Sequence, residues 1–212
     1  MNEHIKSEFE KALIERHGED IHRKLQSASV GIAGLGGLGS NVAVSLVRLG
    51  IGKLVLVDFD LVDQTNLNRQ YYFRRNIGQK KTDALKEILE DISPITQIET
   101  KNVYLDDENS SEMFKDTNLI VEAMDKAESK VSFVQSILTK CKDKKLVSAS
   151  GMAGALSSNT IRTRKINERF SVVGDEVSHI DEFGGLMAPR VAIAANHQAN
   201  QILRWILNIE KY

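Results

Sequence analysis

A glycine-rich turn between two apolar runs constrains the fold of this chain most strongly. Residues 30–60 read "VGIAGLGGLGSNVAVSLVRLGIGKLVLVDFD": a short apolar run, the glycines, a run with apolar residues at helical spacing, and an apolar run closed by acids. A strand, a tight turn, a helix and a second strand form a βαβ unit. A turn without side chains lets a phosphate approach the N–H groups at the start of the helix. The sequence therefore predicts a nucleotide at this turn.

The spacing of the glycines agrees with a dinucleotide-binding pattern but does not identify the nucleotide. Gly34, Gly36 and Gly39 fit G-x-G-x-x-G, and Gly37 adds a fourth position without a Cβ. Asp58 closes the next predicted strand, where an acid commonly accepts hydrogen bonds from ribose hydroxyls. NAD and ATP both fit this pattern. The alternative is that the glycines only permit close packing of strand and helix.

The rest of the chain alternates predicted strands and helices, which indicates a parallel sheet covered on both faces. We predict two short helices within residues 8–25. Apolar periodicity places strands at 29–33, 53–57, 97–104, 118–122 and 145–149, and helices at 39–49, 78–92 and 127–141. After Gly151 we predict a solvated strand at 160–165, a loop at 168–185 and a long final helix at 186–209.

These elements predict the fold class and the organisation of the chain. The fold is α/β, a Rossmann-like doubly wound and mostly parallel sheet with an N-terminal helical arm, a C-terminal antiparallel extension and a long helix. The whole chain, 1–212, is expected to be one domain. Within it, 1–28 is the arm, 29–150 the nucleotide-binding core, and 151–212 the crossover loop, extension and final helix.

Composition excludes several classes of partner. The 28 basic and 29 acidic residues give a net charge of -1, so no overall field attracts nucleic acid or an anionic membrane. Cys141 is the single cysteine, which excludes an internal disulfide and a zinc site of four thiolates. No run of about 18 apolar residues occurs. We therefore expect a soluble, unprocessed, cytoplasmic protein that binds neither nucleic acid nor membrane.

Positive charges behind Asp58 favour ATP over NAD. Residues 58–85 read "DFDLVDQTNLNRQYYFRRNIGQKKTDAL". A guanidinium at Arg69 and a mobile ammonium at Lys81 would suit a triphosphate and stabilise departing pyrophosphate. Arg69 stands among polar residues. The other cations of the stretch are expected to be solvated surface charges: Arg74, Arg75 and Lys80.

Four segments together resemble a known family. "GLGGLGS", "LVLVDFDLVDQTNLNRQ", "IGQKKTDAL" and "GLMAPRVA" are similar to the ThiF, MoeB and HesA family of adenylating enzymes that activate ubiquitin-like proteins. The resemblance extends from Arg16 to the last helix. The length and the absence of zinc ligands most resemble the compact ThiF form of thiamine biosynthesis. The resemblance implies a Rossmann-like fold and a homodimer.

The resemblance also implies roles for residues around the turn. Gly37 would lie against the nucleotide, and Asp58 would hold the ribose. Asn66, Arg69 and Lys81 would contact the phosphates.

Two further roles are implied at a distance from the turn. Asp125, in "VEAMDKAES", matches the magnesium-linked aspartate of the family. Its position after a strand agrees with a ligand crevice at the carboxyl ends of the strands. Arg16, in "LIERHGED", resembles an N-terminal arginine that reaches the triphosphate of the neighbouring subunit.

The implied reaction uses ATP and Mg²⁺, with no zinc. The C-terminal Gly-Gly carboxylate of a ThiS-like sulfur carrier protein would attack the α-phosphorus of ATP to give an acyl-adenylate and pyrophosphate. The loop at 171–185 would cross over the carrier tail, with His179, Asp181 and Glu182 as its polar lining. Cys141 lies outside that loop, so we expect a structural thiol instead of a covalent carrier site.

Three other functions remain open at this point. The chain could activate a MoaD-like carrier, or adenylate another small acid or amide. It could be an NAD-dependent oxidoreductase, which the glycine pattern alone permits and the cation cluster disfavours. It could also be a non-catalytic partner-binding module, against which Arg69, Lys81 and Asp125 together argue.

Overall fold

A seven-stranded sheet forms the centre of the structure, a computed structural model that describes residues 3–209. Its strands are β1 Ser29–Ala33, β2 Lys53–Asp58, β3 Gln97–Asn102, β4 Leu119–Glu122, β5 Lys145–Ala149, β6 Arg162–Asn167 and β7 Phe170–Gly174. The α-helices are α1 Glu3–His17, α2 Glu19–Gln26, α3 Gly37–Arg48, α4 Lys81–Ile92, α5 Ser110–Met113, α6 Ala127–Lys140, α7 Ile180–Phe183 and α8 Ala188–Ile206. Short 3₁₀ turns lie at Gln64–Asn68, Arg74–Asn76 and Ser158–Thr160.

The order of the strands confirms the predicted fold class. The order is β3-β2-β1-β4-β5-β7-β6, and every neighbouring pair is parallel except β7 and β6. The chain runs outward from β1 to β3, then returns to place β4 on the other side of β1. In such a doubly wound sheet the ligand crevice lies outside the carboxyl ends of the strands, where the order reverses. Here that point lies between β1 and β4.

Two buried apolar clusters cover the two faces of the sheet. Because successive strand residues point to opposite faces, neighbouring residues of one strand join different clusters. One cluster packs the sheet against α3, α4 and α8, and its strand members include Val30, Ile32, Leu54 and Leu56. The other packs the sheet against α6, and its members include Ala33, Val55, Val57, Phe114 and Phe133. Burial on both faces explains why these strands read as continuous apolar runs.

The helical arm is attached at the amino-terminal edge of the sheet. Leu25 of α2 is buried, and its carbonyl accepts a hydrogen bond from Gly52 just before β2. Leu13 of α1 lies against Gly50, after the end of α3. The arm therefore supports the edge opposite the glycine-rich turn.

Apart from the short helix α5, which was not predicted, the helices and strands of residues 29–149 lie where the sequence predicts them, and several have shifted ends. The predicted helix at 39–49 begins at Gly37, because the small residues of the turn allow the helix to start earlier. The predicted helix at 78–92 begins at Lys81. The strand predicted at 97–104 ends at Asn102, where pairing with β2 stops.

The prediction of a loop at 168–185 is wrong, because the strand β7 forms part of this segment. β7 pairs in parallel with β5 and antiparallel with β6, so tertiary pairing on both sides makes a strand of a short segment. A turn closed by the Asn167 side chain, which accepts from the Arg169 N–H at 2.8 Å, connects β6 to β7. The final helix is also shorter than predicted and spans Ala188–Ile206, with a proline in its first turn. Within residues 3–209, no helix combines the length and the apolar character that crossing a bilayer requires.

Phe114→Ala tests the packing of the second cluster. Phe114 is fully buried and meets Phe133 edge to face, with 5.7 Å between ring centroids. The variant is expected to lower the free energy of unfolding by about 3–5 kcal/mol, measured by urea denaturation. Val131→Ala on the exposed face of α6 is the control and should change it by less than about 0.5 kcal/mol. Equal effects of the two variants would contradict this description of the core.

Candidate functional site

The glycine-rich turn joins β1 to α3 with almost no space for side chains. Gly34 has φ of 90°, a conformation that glycine adopts readily, and a Cβ there would lie 2.8 Å from the Ala123 carbonyl oxygen. A Cβ at Gly39 would lie 1.9 Å from the Gly34 carbonyl oxygen. Gly36 precedes the first turn of α3, and no side chain of residues 3–209 caps that helix. The first N–H groups of α3 therefore form an anion-binding end of the helix.

Asp58 fixes the turn to the end of β2. Its carboxylate is 7% exposed and accepts hydrogen bonds from the Leu35 N–H at 2.6 Å and the Asp60 N–H at 2.7 Å. Each carboxylate oxygen has a second lone pair. Asp58 can thus orient the turn and still accept a hydrogen bond from a ligand hydroxyl.

Arg69 lies directly against the start of α3. A Cβ at Gly37 would come within 3.3 Å of the Arg69 Cγ and 2.9 Å of Val191 Cγ1. The Arg69 Nη1 donates to the Asn68 Oδ1 at 2.8 Å, whereas its buried Nε has no hydrogen-bond partner within residues 3–209. The structure therefore brings the predicted arginine and the predicted glycines together.

Lys81 is held by an acid and is not the mobile charge that we expected from the sequence. It is 6% exposed, and its Nζ lies 2.8 Å from Asp60 Oδ2. Its backbone N–H donates to the Asp60 carbonyl at 2.9 Å, because this residue starts α4 beside the end of β2. A charge held at one place by burial loses little entropy when an anion binds.

Tyr72 links the turn to Lys81. Its buried hydroxyl donates to the Leu35 carbonyl at 2.9 Å and lies 3.5 Å from the Lys81 carbonyl. Burial, followed by the negative charges of Asp58 and Asp60, raises the pKa of Tyr72 far above its ordinary value. The hydroxyl therefore remains a neutral donor.

Asn66 is part of the 3₁₀ turn that carries Arg69. Its Oδ1 accepts from the Asp63 N–H at 3.0 Å, and Asp63 in return accepts from the Thr65 N–H at 2.8 Å. The amide oxygen of Asn66 is thus used within the turn. A contact between Asn66 and a phosphate would come from its amide nitrogen.

Asp125 lies beyond the end of β4, at the same edge as the glycine-rich turn, and it is exposed. Within the described part of the chain, no group of three or more His, Cys, Asp and Glu side chains is placed to hold a metal ion. Mg²⁺ commonly binds through one or two carboxylates together with substrate phosphates. The single exposed carboxylate of Asp125 fits that kind of metal binding.

Arg16 is distant from the glycine-rich turn within its own chain. It is exposed in the last turn of α1, one helical turn after Leu13, which contacts Gly50 at the opposite edge of the sheet. A role for Arg16 in triphosphate binding therefore needs a second subunit. The three cations that we expected to be solvated are exposed: Arg74, Arg75 and Lys80.

The segment between β7 and α8 is anchored by a buried ion pair. Asp175 pairs with Arg190, which also donates to the Ser157 carbonyl at 2.6 Å. Burial of Asp175 opposes ionisation, but hydrogen bonds from Ser178 and Val177 and the charge of Arg190 outweigh it, so the pKa of Asp175 is lowered.

The polar residues predicted to line this segment are all exposed: His179, Asp181 and Glu182. Farther along, the Leu186 carbonyl accepts from Asn68 Nδ2 at 3.2 Å. One end of the segment therefore touches the turn that carries Arg69.

Cys141 is buried in the second apolar cluster at the end of α6. Burial raises the pKa of its thiol, and Asp143 acts in the same direction. A raised thiol pKa disfavours the thiolate that covalent chemistry needs. The structure thus agrees with the expected structural role of this cysteine.

Sequence reasoning missed three polar residues of the site: Asp60, Gln70 and Tyr72. Gln70 is 8% exposed and lies beneath Gly36, 3.7 Å from where a Cβ would be. The sequence "DFD" contains Asp60 two residues after Asp58, but it gives no indication that Asp60 pairs with Lys81. Gln70 and Tyr72 had no signal, because only the fold of the 69–72 segment brings them under the turn.

Comparison with known proteins gives the family of this chain. A model described as the ThiF family matches residues 10–212. The chain belongs to the ThiF family. The ThiF-family chain is 30% identical over 202 residues to molybdopterin-synthase adenylyltransferase of Haemophilus influenzae, covering 91% of this chain and 80% of that protein.

Other relatives of this ThiF-family chain differ in length and in name. It is 40% identical over 94 residues to ubiquitin-like modifier-activating enzyme 5 of Dictyostelium discoideum, covering 44% of this chain and 25% of that protein. It thus spans about a quarter of that relative. Among solved structures, tRNA N6-threonylcarbamoyladenosine dehydratase of Escherichia coli, in complex with ATP, superimposes with a TM-score of 0.82 at 20% identity over 93% of each chain. That likeness establishes the shared fold.

Gly39→Ala tests whether the turn binds the predicted nucleotide. A Cβ here would lie 1.9 Å from a backbone oxygen, so the turn must move and its N–H groups lose their alignment. We expect the Kd for ATP, measured by calorimetry, to rise by about tenfold or more, as loss of one charge-assisted hydrogen bond would produce.

Gly52→Ala is a matched control at the opposite edge of the sheet. A Cβ there would also lie 1.9 Å from a backbone oxygen, that of Gln26. Both variants should be less stable, but only Gly39→Ala should lose ATP affinity. Equal loss of affinity in both variants would contradict a nucleotide at the turn.

Proposed function

We propose that this protein adenylates the C-terminal Gly-Gly carboxylate of a ubiquitin-like sulfur carrier protein, with ATP as the second substrate. The observation that carries the proposal is the contact of Arg69 with the glycine-rich turn, together with the buried Lys81 at the start of α4. Cations at this place suit a triphosphate better than the single pyrophosphate bridge of NAD. Membership of the ThiF family supports the same conclusion.

The reaction needs alignment of two anions more than it needs proton transfer. A carboxylate is ionised at neutral pH, so no general base is required to activate it. Its oxygen attacks the α-phosphorus, and the bond from that phosphorus to the bridging oxygen of pyrophosphate breaks. The negative charge leaves with pyrophosphate. Catalysis therefore consists of positioning and charge stabilisation.

Each part of the site has a place in this step. N–H groups of the turn, together with Gly37, would lie against the phosphates, and Asp58 would accept from the ribose. Arg69 and Lys81 would neutralise the departing pyrophosphate, with Asn66 as an additional donor. Asp60 holds Lys81 by an ion pair, which keeps the ammonium at one place and offsets part of its positive field.

Asp125 would hold Mg²⁺ together with phosphate oxygens of ATP, and the ion would add positive charge where pyrophosphate departs. Arg16 would reach the triphosphate from a second subunit of a homodimer. Its exposed position on α1, away from the turn of its own chain, agrees with that arrangement.

The segment after β7 is the proposed cover of the carrier tail. It begins at the buried pair of Asp175 and Arg190 and ends near Asn68, next to Arg69. Its polar residues His179, Asp181 and Glu182 are exposed. A ThiS-like carrier, and so a role in thiamine biosynthesis, is the specific form of the proposal.

A MoaD-like carrier is the second candidate. The relative from Haemophilus influenzae is a molybdopterin-synthase adenylyltransferase and aligns with most of both chains. The two candidates share the site and the reaction, and they differ in the carrier that the surface accepts.

Exchange of labelled pyrophosphate into ATP tests the function. With Mg²⁺ present, exchange that depends on a carrier with an intact Gly-Gly end is expected, because it reports reversible formation of an acyl-adenylate. ThiS-like and MoaD-like carriers, each with a truncated control, separate the two candidates. No exchange with either carrier, despite ATP binding, would reject the proposed reaction.

Arg69→Ala is expected to lower the kcat/KM of exchange by about 10- to 100-fold, as loss of a charge-assisted hydrogen bond to a phosphate does. Arg75→Ala is the control, since Arg75 is exposed and stacks on the Phe73 ring at 4.5 Å. It should stay within about twofold of the wild type. Turnover of Arg69→Ala at the wild-type rate would remove this residue from the mechanism.

A further inference from the structure

Glu122 is a buried carboxylate that the proposed reaction does not use. It is the last residue of β4 and is 0% exposed. Burying a carboxylate costs several kcal/mol unless charged and polar groups compensate for the lost water. A chain that keeps such a group at the end of a central strand therefore has to satisfy it locally.

Groups from three parts of the chain satisfy this carboxylate. The Lys130 Nζ, from α6, lies 2.7 and 2.6 Å from the two oxygens. Ser148 of β5 donates its hydroxyl to Oε2. The Met124 N–H donates to Oε1 at 2.7 Å. The backbone carbonyl of Glu122 also accepts from Gln198 Nε2 of α8 at 2.9 Å.

The bond to Met124 closes a turn immediately before Asp125. Ala123, inside that turn, donates its N–H to the Ala33 carbonyl at 2.8 Å, and its own carbonyl lies against Gly34. The turn is therefore fixed on one side to the glycine-rich turn and on the other to the Glu122 carboxylate. Asp125 itself is exposed, and its position depends on this backbone.

We propose that Glu122 is a positioning residue for the metal site: by binding the Met124 N–H, Lys130 and Ser148, it holds the turn at 123–125 so that Asp125 presents its carboxylate to the Mg²⁺ of Mg·ATP. The proposal rests on the function proposed above. Glu122 would touch neither ATP nor the metal ion, but it would contribute to the affinity for Mg²⁺. Outer residues that orient metal ligands typically contribute about 10- to 100-fold in affinity.

Calorimetric titration of ATP, once with Mg²⁺ and once with EDTA, tests the proposal by binding alone. The Kd in EDTA divided by the Kd with Mg²⁺ gives the magnesium contribution to ATP affinity. Glu122→Gln, which keeps the shape but cannot accept from all three donors, should reduce this ratio by about tenfold. The Kd in EDTA should stay within about twofold, because Asp58 and the glycine-rich turn are unchanged. Asp125→Asn should reduce the ratio to a similar extent.

The double variant decides whether Glu122 acts through Asp125. If it does, Glu122→Gln combined with Asp125→Asn should lose no more of the ratio than Asp125→Asn alone. Additive losses, or a wild-type ratio in Glu122→Gln, would overturn the proposal. Hydrogen exchange at the Met124 amide gives a readout without ligand and should be faster in Glu122→Gln.

Lys144→Met is the matched control for a merely structural effect. Lys144 is likewise buried, and its Nζ donates to the Thr117 and Lys115 carbonyls at 2.6 and 3.0 Å, at the opposite edge of the sheet. This variant should lose stability and keep the wild-type ratio. The same loss of the ratio in Lys144→Met would overturn the proposal.

Ser148→Ala is the milder variant if Glu122→Gln does not fold. It removes one donor and keeps the ion pair with Lys130, so the ratio should fall by about two- to threefold. An unchanged ratio would contradict the proposal. These titrations need no carrier. If the protein binds Mg·ATP but does not catalyse exchange, the proposed function is rejected, and the titrations still test the role of Glu122.

Discussion

The hydrogen bond from the Leu35 N–H to the Asp58 carboxylate is the contact on which the candidate site depends. It joins the glycine-rich turn to the end of β2, while the Gly34 N–H donates to the Val57 carbonyl at 2.9 Å beside it. Because Gly39 lies against the Gly34 carbonyl, α3 begins where its N–H groups face the crevice between β1 and β4. The sheet order thus places a positive helix end at the ligand crevice.

The two cations near the start of α3, Lys81 and Arg69, have different partners. Lys81 is nearly buried and bound to Asp60, whereas Arg69 is bound through neutral groups and lies against Gly37. The neighbouring surface cations are exposed and contribute through a screened field. The site therefore offers the Arg69 guanidinium and the partly compensated Lys81 ammonium at fixed places. This arrangement suits pyrophosphate, because negative charge accumulates on it as its bond to the α-phosphorus breaks. Asp125 adds a carboxylate on the other side of β1.

The sequence predicted those parts of the structure that depend on local pattern. The βαβ unit, the glycines, Asp58 and Arg69 follow from apolar period and residue type, and the structure brings them together. β7 was not predicted, because its strand character comes from pairing with β5 and β6 and not from its own residues. The burial of Lys81 and Glu122 was not predictable either, since it results from partners that the fold supplies from distant positions.

Nucleotide selectivity is the direct test of whether the glycine-rich turn and its cations hold a triphosphate. Calorimetry would compare the Kd values of ATP, AMP and NAD for the same protein in the presence of Mg²⁺. We expect ATP to bind more tightly than AMP, because Arg69, Lys81 and Mg²⁺ act on the outer phosphates, and we expect NAD to bind more weakly than ATP. NAD binding as tight as ATP, or equal affinities for ATP and AMP, would contradict the claim.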